Sequence, residues 1–169
     1  MLDGNIAQYA YVVADLDAAI GHWTESIGAG PFFVRRHLDL PVEHRGKQSV
    51  FDISVALGQA GPIQIELVQV HSATQNCFTE MYPQGGGGLH HVALFTPDLD
   101  SAIRSFENKG GELATRGVFG STPFAFMDAR RQLGFFVELY QDSAELRGIY
   151  ALVADAAAGW DRITQTRPL

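Results

Sequence analysis

The sequence predicts an α+β fold built from two tandem βαβββ modules followed by a C-terminal helix. Three observations carry this. The chain repeats itself at an offset of 83 residues. Each copy passes from a strand pattern to a helix pattern and then through three more strand patterns. Beyond the second copy lies one further amphipathic helix pattern.

The repeat is clearest where each copy begins. Gln8–Ile20, QYAYVVADLDAAI, lies over His91–Ile103, HVALFTPDLDSAI. Ala10, Asp15, Leu16, Asp17, Ala19 and Ile20 meet Ala93, Asp98, Leu99, Asp100, Ala102 and Ile103. Trp23 then meets Phe106, and Gly28 meets Gly111. The apolar runs suit short strands. Asp15 and Asp98 stand where a carboxylate caps a helix by accepting from unpaired backbone N–H groups. Leu16, Ala19, Ile20 and Trp23 recur at i, i+3, i+4 and i+7, as do Leu99, Ala102, Ile103 and Phe106. Each set describes one buried helical face. Gly28 and the pair Gly110 and Gly111 are natural helix stops. The first copy continues through PFFVRRHL, SVFDISVAL and PIQIELVQV, and the second through GELATRGVF, PFAFMDA and GFFVELYQ. The predicted division is a first module over 1–70, a connector over 71–88, a second module over 89–142 and a helix with tail over 143–169. Leu146, Ile149, Tyr150 and Val153 mark that helix, and GWDRITQTRPL reads as an end lying along the surface.

Composition narrows the function. Hydrophobic residues make up 46% of the 169-residue chain and charged residues 18%, the balance of a folded protein. A net charge of −7 argues against general nucleic-acid binding. No apolar run approaches the roughly 20 residues of a membrane helix. No secretory signal pattern is visible, and Cys77 is the only cysteine, so the cytoplasm is the expected compartment and no internal disulfide is possible. The glycine run Gly85–Gly88 lacks the Lys-Ser/Thr of a phosphate loop and leads into a strand, so it reads as the flexible end of the connector.

A second internal match carries the chemistry. IQIELVQ (Ile63–Gln69) pairs with FFVELYQ (Phe135–Gln141), so Glu66 falls on Glu138 and Gln69 on Gln141. A carboxylate inside an apolar strand must be protonated, paired or bound to a cation, because burying it bare costs several kcal/mol. The 83-residue register also makes Gln8 and His91 equivalent on the first strands. If a pseudo-twofold axis relates the modules, Gln8, Glu66, His91 and Glu138 converge on one point. One imidazole, two carboxylates and an amide oxygen suit a divalent metal, Zn, Ni, Co or Mn, in an open shell with room for water. Strict alternation along the strand puts His90 on the opposite face, as a structural residue.

At these residues the chain resembles the vicinal-oxygen-chelate superfamily, which includes glyoxalase I, methylmalonyl-CoA epimerase, extradiol dioxygenases and bleomycin-resistance proteins. The resemblance spans Ile6 to Gln141. It implies that the two modules form an open, cup-shaped mixed sheet around a metal site. The set Gln8, Glu66, His91 and Glu138 is similar to that of eukaryotic-type glyoxalase I. Gln8 stands where an extradiol dioxygenase has a histidine, which argues against ring cleavage. The implied function is metal-dependent isomerase or lyase chemistry of the glyoxalase I type, a proton transfer next to a carbonyl through a metal-stabilised enediolate. By the same resemblance Glu138 is the expected base, and Glu66 a ligand that can serve as a second acid/base. The alternatives are an acyl-CoA epimerase, which GLHHVAL resembles locally, and a non-catalytic binder of the bleomycin-resistance type.

The expected partner is a small molecule, a glutathione adduct or an acyl-CoA thioester, with no nucleic acid and no membrane, in a homodimer. The expected substrate contacts are Arg35 and Arg45, from a basic stretch in an acidic chain, with Phe126 and Tyr140 lining an apolar pocket.

Overall fold

The computed structural model describes residues 4–83 and 86–169. Gly85, which opens the glycine run, lies outside the described residues, as do Gln84 of the connector and the first three residues of the first module.

The first module runs β1 (Gln8–Val12), α1 (Leu16–Ile27), β2 (Phe32–His44), β3 (Lys47–Ala60) and β4 (Ile63–Val70). A short helix α2 (Cys77–Met81) sits in the connector. The second module runs β5 (Gly88–Thr96), α3 (Leu99–Glu107), β6 (Glu112–Phe119), β7 (Thr122–Asp128), a single-turn helix α4 (Arg130–Leu133) and β8 (Phe136–Gln141). Helix α5 (Ala144–Ala158) and a short strand β9 (Thr166–Pro168) complete the chain. The βαβββ order thus recurs as the sequence predicts; α2, α4 and β9 are additions to it.

Capping does what the repeat implies. Asp15 accepts from the Ala18 N–H and Asp98 from the Ser101 N–H, each at 2.9 Å. Such caps contribute about 1 kcal/mol each. The matched glutamines do a further job in common. Gln69 Oε1 accepts from Leu16 N–H, and Gln141 Oε1 from Leu99 N–H. Each module thereby ties the start of its helix to the end of its last strand. Gly28 ends α1 in the left-handed region at φ 75°, whereas α3 stops at Glu107, ahead of Gly110.

The strands lie in the order β3-β4-β1-β5-β8-β7-β6-β2, and β2 also pairs with β3, so the sheet closes on itself. β9 adds to β2 at Phe32–Val34. The β2–β6 seam is short, covering only Val42–His44 against Thr115–Gly117. Beyond it the two strands part, and the ring is open there. Outside the ring α1 packs Leu16 and Ile20 on Ile65 and Leu67, and α3 packs Leu99 and Ile103 on Val137 and Leu139. Burying each such side chain contributes about 1.5–3 kcal/mol. Gly87 passes so near the Val12 carbonyl that a Cβ would lie 2.5 Å from its oxygen. That close approach requires glycine at this point of the run.

An ion cluster fixes α2 to both modules. Glu80 of α2 accepts from Arg130 Nη2 at 2.6 Å and from Arg45 Nη2 at 3.0 Å. Asp128, at the end of β7, accepts from Arg130 Nε at 2.9 Å and also from Arg45. The guanidinium of Arg130, helped by Arg45, holds the Asp128 carboxyl well below its ordinary value. At Glu80 burial acts in the opposite sense, but the same two cations outweigh it and lower that group too. Groups depressed on folding stabilise the protein fully above their unfolded values, 3.8 and 4.5, and lose that contribution as pH falls through the folded values. Asp128→Asn is therefore expected to lower stability at neutral pH by about 1–2 kcal/mol and to flatten the acid limb below about pH 4. Urea unfolding across pH measures both; equal acid limbs for the two proteins would contradict the assignment.

Candidate metal and substrate site

Four adjacent strands build the site, in the order β4-β1-β5-β8. The registers Ala10 with Glu66, Ala10 with His91, and Ala93 with Glu138 bring the four candidate ligands into one neighbourhood. Alanine at both central positions leaves room above the sheet. Gln8, Glu66, His91 and Glu138 all line one cavity inside the ring.

The geometry is tight. His91 Nε2 lies 3.3 Å from Glu66 Oε2 and 3.1 Å from Glu138 Oε2. The ligand atoms of these three residues fall within 4.8 Å of one another. Two donors each about 2.1 Å from a shared cation stand about 3.0–3.4 Å apart, so these spacings fit a divalent ion. Gln8 Oε1 is buried without a hydrogen-bond partner, and His91 Nε2 and Glu138 Oε2 have no hydrogen-bond partner beyond the carboxylate–imidazole contacts just given; each offers a lone pair to a cation once His91 gives up its Nε2 proton. Gln8 Nε2 donates to Gln64 Oε1 at 2.7 Å, which fixes the amide with its oxygen free. One nitrogen and three oxygens suit the expected metals.

Electrostatics agree. Burial alone would lower the His91 imidazole, but Glu138 and Glu66 outweigh it and push it up to about 9. Burial, reinforced by Glu66 and opposed by His91, raises Glu138. Both directions mean that the cluster holds protons more firmly than its members would alone. Two carboxylates side by side attract positive charge; without metal the proton on His91 supplies it, and a divalent cation would take that proton's place.

His90 is not on the opposite face. The β1–β5 register slips between Ala10 and Tyr11, so that Ala10 faces His91 and Tyr11 faces Leu89. His90 is the extra residue of a β-bulge, which breaks the alternation that the sequence argument assumes. Its Nε2 lies 3.1 Å from the Cys77 carbonyl of α2, which can only accept, so Nε2 carries the proton. Burial and the neighbouring His91 push His90 well down, so the ring is neutral and its Nδ1 accepts. The partner at 2.9 Å is His91 Nδ1, which must donate. The chain of bonds therefore leaves His91 Nε2 as the atom directed at the carboxylates.

The cavity encloses about 720 Å³, its open side included. Beside β4 its wall is β3, with Phe51, Ile53, Val55 and Leu57, and helix α5 contributes Leu146, Ile149 and Tyr150. Among the described residues, Glu66 and Glu138 carry the only side-chain carboxylates in the lining. Arg35, from the part of β2 beyond the seam, is the only arginine or lysine there, and Phe126 and Tyr140 also line the cavity. Tyr140 lies beside Glu138 and helps to hold its carboxyl down. Arg45 does not line it: the turn after β2 carries its guanidinium to Glu80, Asp128 and Glu112. The structure thus places Arg45 in the ion cluster rather than against a substrate. Cys77 is fully buried, and burial pushes its thiol far up, so it is inert. Gln64 and Tyr150 also line the cavity, and the sequence alone does not single them out. Their signal is faint: a polar residue two before Glu66, and the one hydroxyl on the apolar face of the last helix.

The sequence profile of the Glyoxalase/Bleomycin resistance protein/Dioxygenase superfamily matches residues 7–126. No curated protein sequence matches the chain. Among solved structures, methylmalonyl-CoA epimerase from Mycobacterium tuberculosis superposes with a TM-score of 0.58 at 20% identity, over 88% of this chain and 97% of that one. A Streptomyces coelicolor methylmalonyl-CoA epimerase variant in complex with 2-nitronate-propionyl-CoA gives 0.57 at 16%, over 85% and 100%. A hypothetical protein from Bacillus halodurans gives 0.58 at 16%, over 82% and 94%. At such identities these likenesses speak for the fold. The paired modules, the closed curved sheet and the profile match over most of the chain agree: this chain belongs to the Glyoxalase/Bleomycin resistance protein/Dioxygenase superfamily.

Proposed function

We propose that this protein is a metal-dependent enzyme that moves a proton next to a carbonyl, with Gln8, Glu66, His91 and Glu138 as metal ligands. The observation that carries this is the convergence of one amide oxygen, one imidazole and two carboxylates at the floor of an apolar cup. A bound divalent cation would polarise the carbonyl and hold its neighbouring oxygen. Glu138 is the base: it is buried, its proton affinity is raised, and it faces the space a substrate would fill. Glu66 and His91 hold the cation, and His90 holds His91. The apolar β3 wall keeps water away and strengthens each charge in the cup.

A single base that removes and returns the proton favours glyoxalase-type chemistry, since of the two side-chain carboxylates in the lining among the described residues only Glu138 is buried, Glu66 being half-buried. Acyl-CoA epimerisation is the second reading, supported by the fold shared with the epimerases. Metal analysis of the purified protein, followed by proton exchange in deuterated buffer with glutathione hemithioacetals and 2-methyl-branched acyl-CoAs, separates the two. A protein that binds none of Zn, Ni, Co or Mn and exchanges no proton would instead be a binder.

A further inference from the structure

Six buried side-chain polar atoms lack a hydrogen-bond partner among the described residues, and five of them belong to residues lining the one cavity. They sort by sign. Gln8 Oε1, Glu138 Oε2 and, once its proton is displaced, His91 Nε2 offer lone pairs, which a cation satisfies. Gln64 Nε2 can only donate, and the Tyr150 hydroxyl, which can also accept, carries a proton to give. Each of these two needs an acceptor, and leaving a buried donor unmet is costly.

Neither donor is a requirement of the fold. Gln64 stands two residues before Glu66, and the equivalent place before Glu138 is held by Phe136, so a βαβββ module is built equally well without an amide there. Its Oε1 is already committed to Gln8, which leaves Nε2 as the free group. Tyr150 comes from α5, outside both modules. Leu146 and Ile149, on the same helical face, reach the same cavity with hydrocarbon only. The Tyr150 ring rests edge-on against Phe95 of β5, at 5.0 Å between centroids, which fixes where its hydroxyl lies.

We propose that Gln64 and Tyr150 are substrate-binding residues, the hydrogen-bond donors that take the oxygen atoms of a substrate with an apolar body. The cup then grips oxygen from two sides, with a cation on the floor and two neutral donors beside it. A purely hydrocarbon ligand leaves both donors unmet and is disfavoured. The proposal rests on the proton-transfer reading for the cation, but the donors are present without it.

Benzohydroxamate, which joins two adjacent oxygens to an apolar ring, is a suitable probe. Its binding is measured by calorimetry to the native protein, Tyr150→Phe and Gln64→Glu, each with zinc and after chelation. Tyr150→Phe removes one oxygen atom, and Gln64→Glu keeps an acceptor for Gln8 while removing the donor. Each variant is expected to bind the probe about ten-fold more weakly, and Tyr150→Phe is expected to hold zinc as the native protein does. Loss of probe affinity in Tyr150→Phe by chelated and zinc-loaded protein alike would support the donors even if zinc itself bound poorly. Equal affinity of native protein and Tyr150→Phe in both states, or no binding of the probe by native protein, would overturn the proposal.

Discussion

Replacing Glu138 by Gln is expected to lower substrate-proton exchange by about 10³-fold, within the range for loss of a positioned general base. The change keeps the shape of a residue that is 4% exposed and takes away its capacity to accept a proton. The amide oxygen can still face a cation, so weakened zinc binding persists and occupancy can be matched by raising the metal concentration. Exchange is read by mass spectrometry or NMR in deuterated buffer. Undiminished exchange by the zinc-loaded variant would move the base elsewhere, and Glu66 is the only other side-chain carboxylate in the lining among the described residues. The double change of Glu66 and Glu138 then becomes the decisive measurement.

The second large effect is expected from His91→Leu. Zinc affinity should fall by about 100-fold or more, since even loss of a supporting partner costs roughly 10- to 100-fold. A ligand that binds only the native state stabilises by about 2.7 kcal/mol at a hundred times its dissociation constant. Native protein should therefore melt higher with added zinc, and the variant should not. Without metal the variant also loses the positive group held between Glu66 and Glu138 at 3.3 and 3.1 Å. Breaking such a buried arrangement costs about 3–5 kcal/mol. Equal zinc-induced shifts in the two proteins would remove His91 from the ligand set.

The fold is legible in the sequence because it is written twice. The Asp-Leu-Asp helix starts, the i+3 and i+4 apolar positions and the Glu-Leu strand ends repeat the same physical requirements, so each copy vouches for the other. The four candidate ligands are legible for the same reason: polar groups at equivalent apolar positions need a shared explanation. Departures from regularity are hidden. Strict alternation misplaces His90 because a bulge obeys no period, and the partner of His90, the Cys77 carbonyl, is a backbone atom that no side-chain pattern reveals. Arg45 suggests a substrate contact because it is basic in an acidic chain. Its partners Glu80, Glu112 and Asp128 lie 35, 67 and 83 residues away, so only the folded chain brings them together. Gln64 and Tyr150 have no counterparts in the repeat, so duplication gives no hint of them.

The closed ring has a bearing on association. Every strand of the ring has a neighbour on either side for at least part of its length. The sheet thus offers little free edge on which a second copy could add a strand. A pair of these chains would meet through helices and side chains. All four candidate ligands already come from one polypeptide, so dilution that separated two copies would leave each constellation whole.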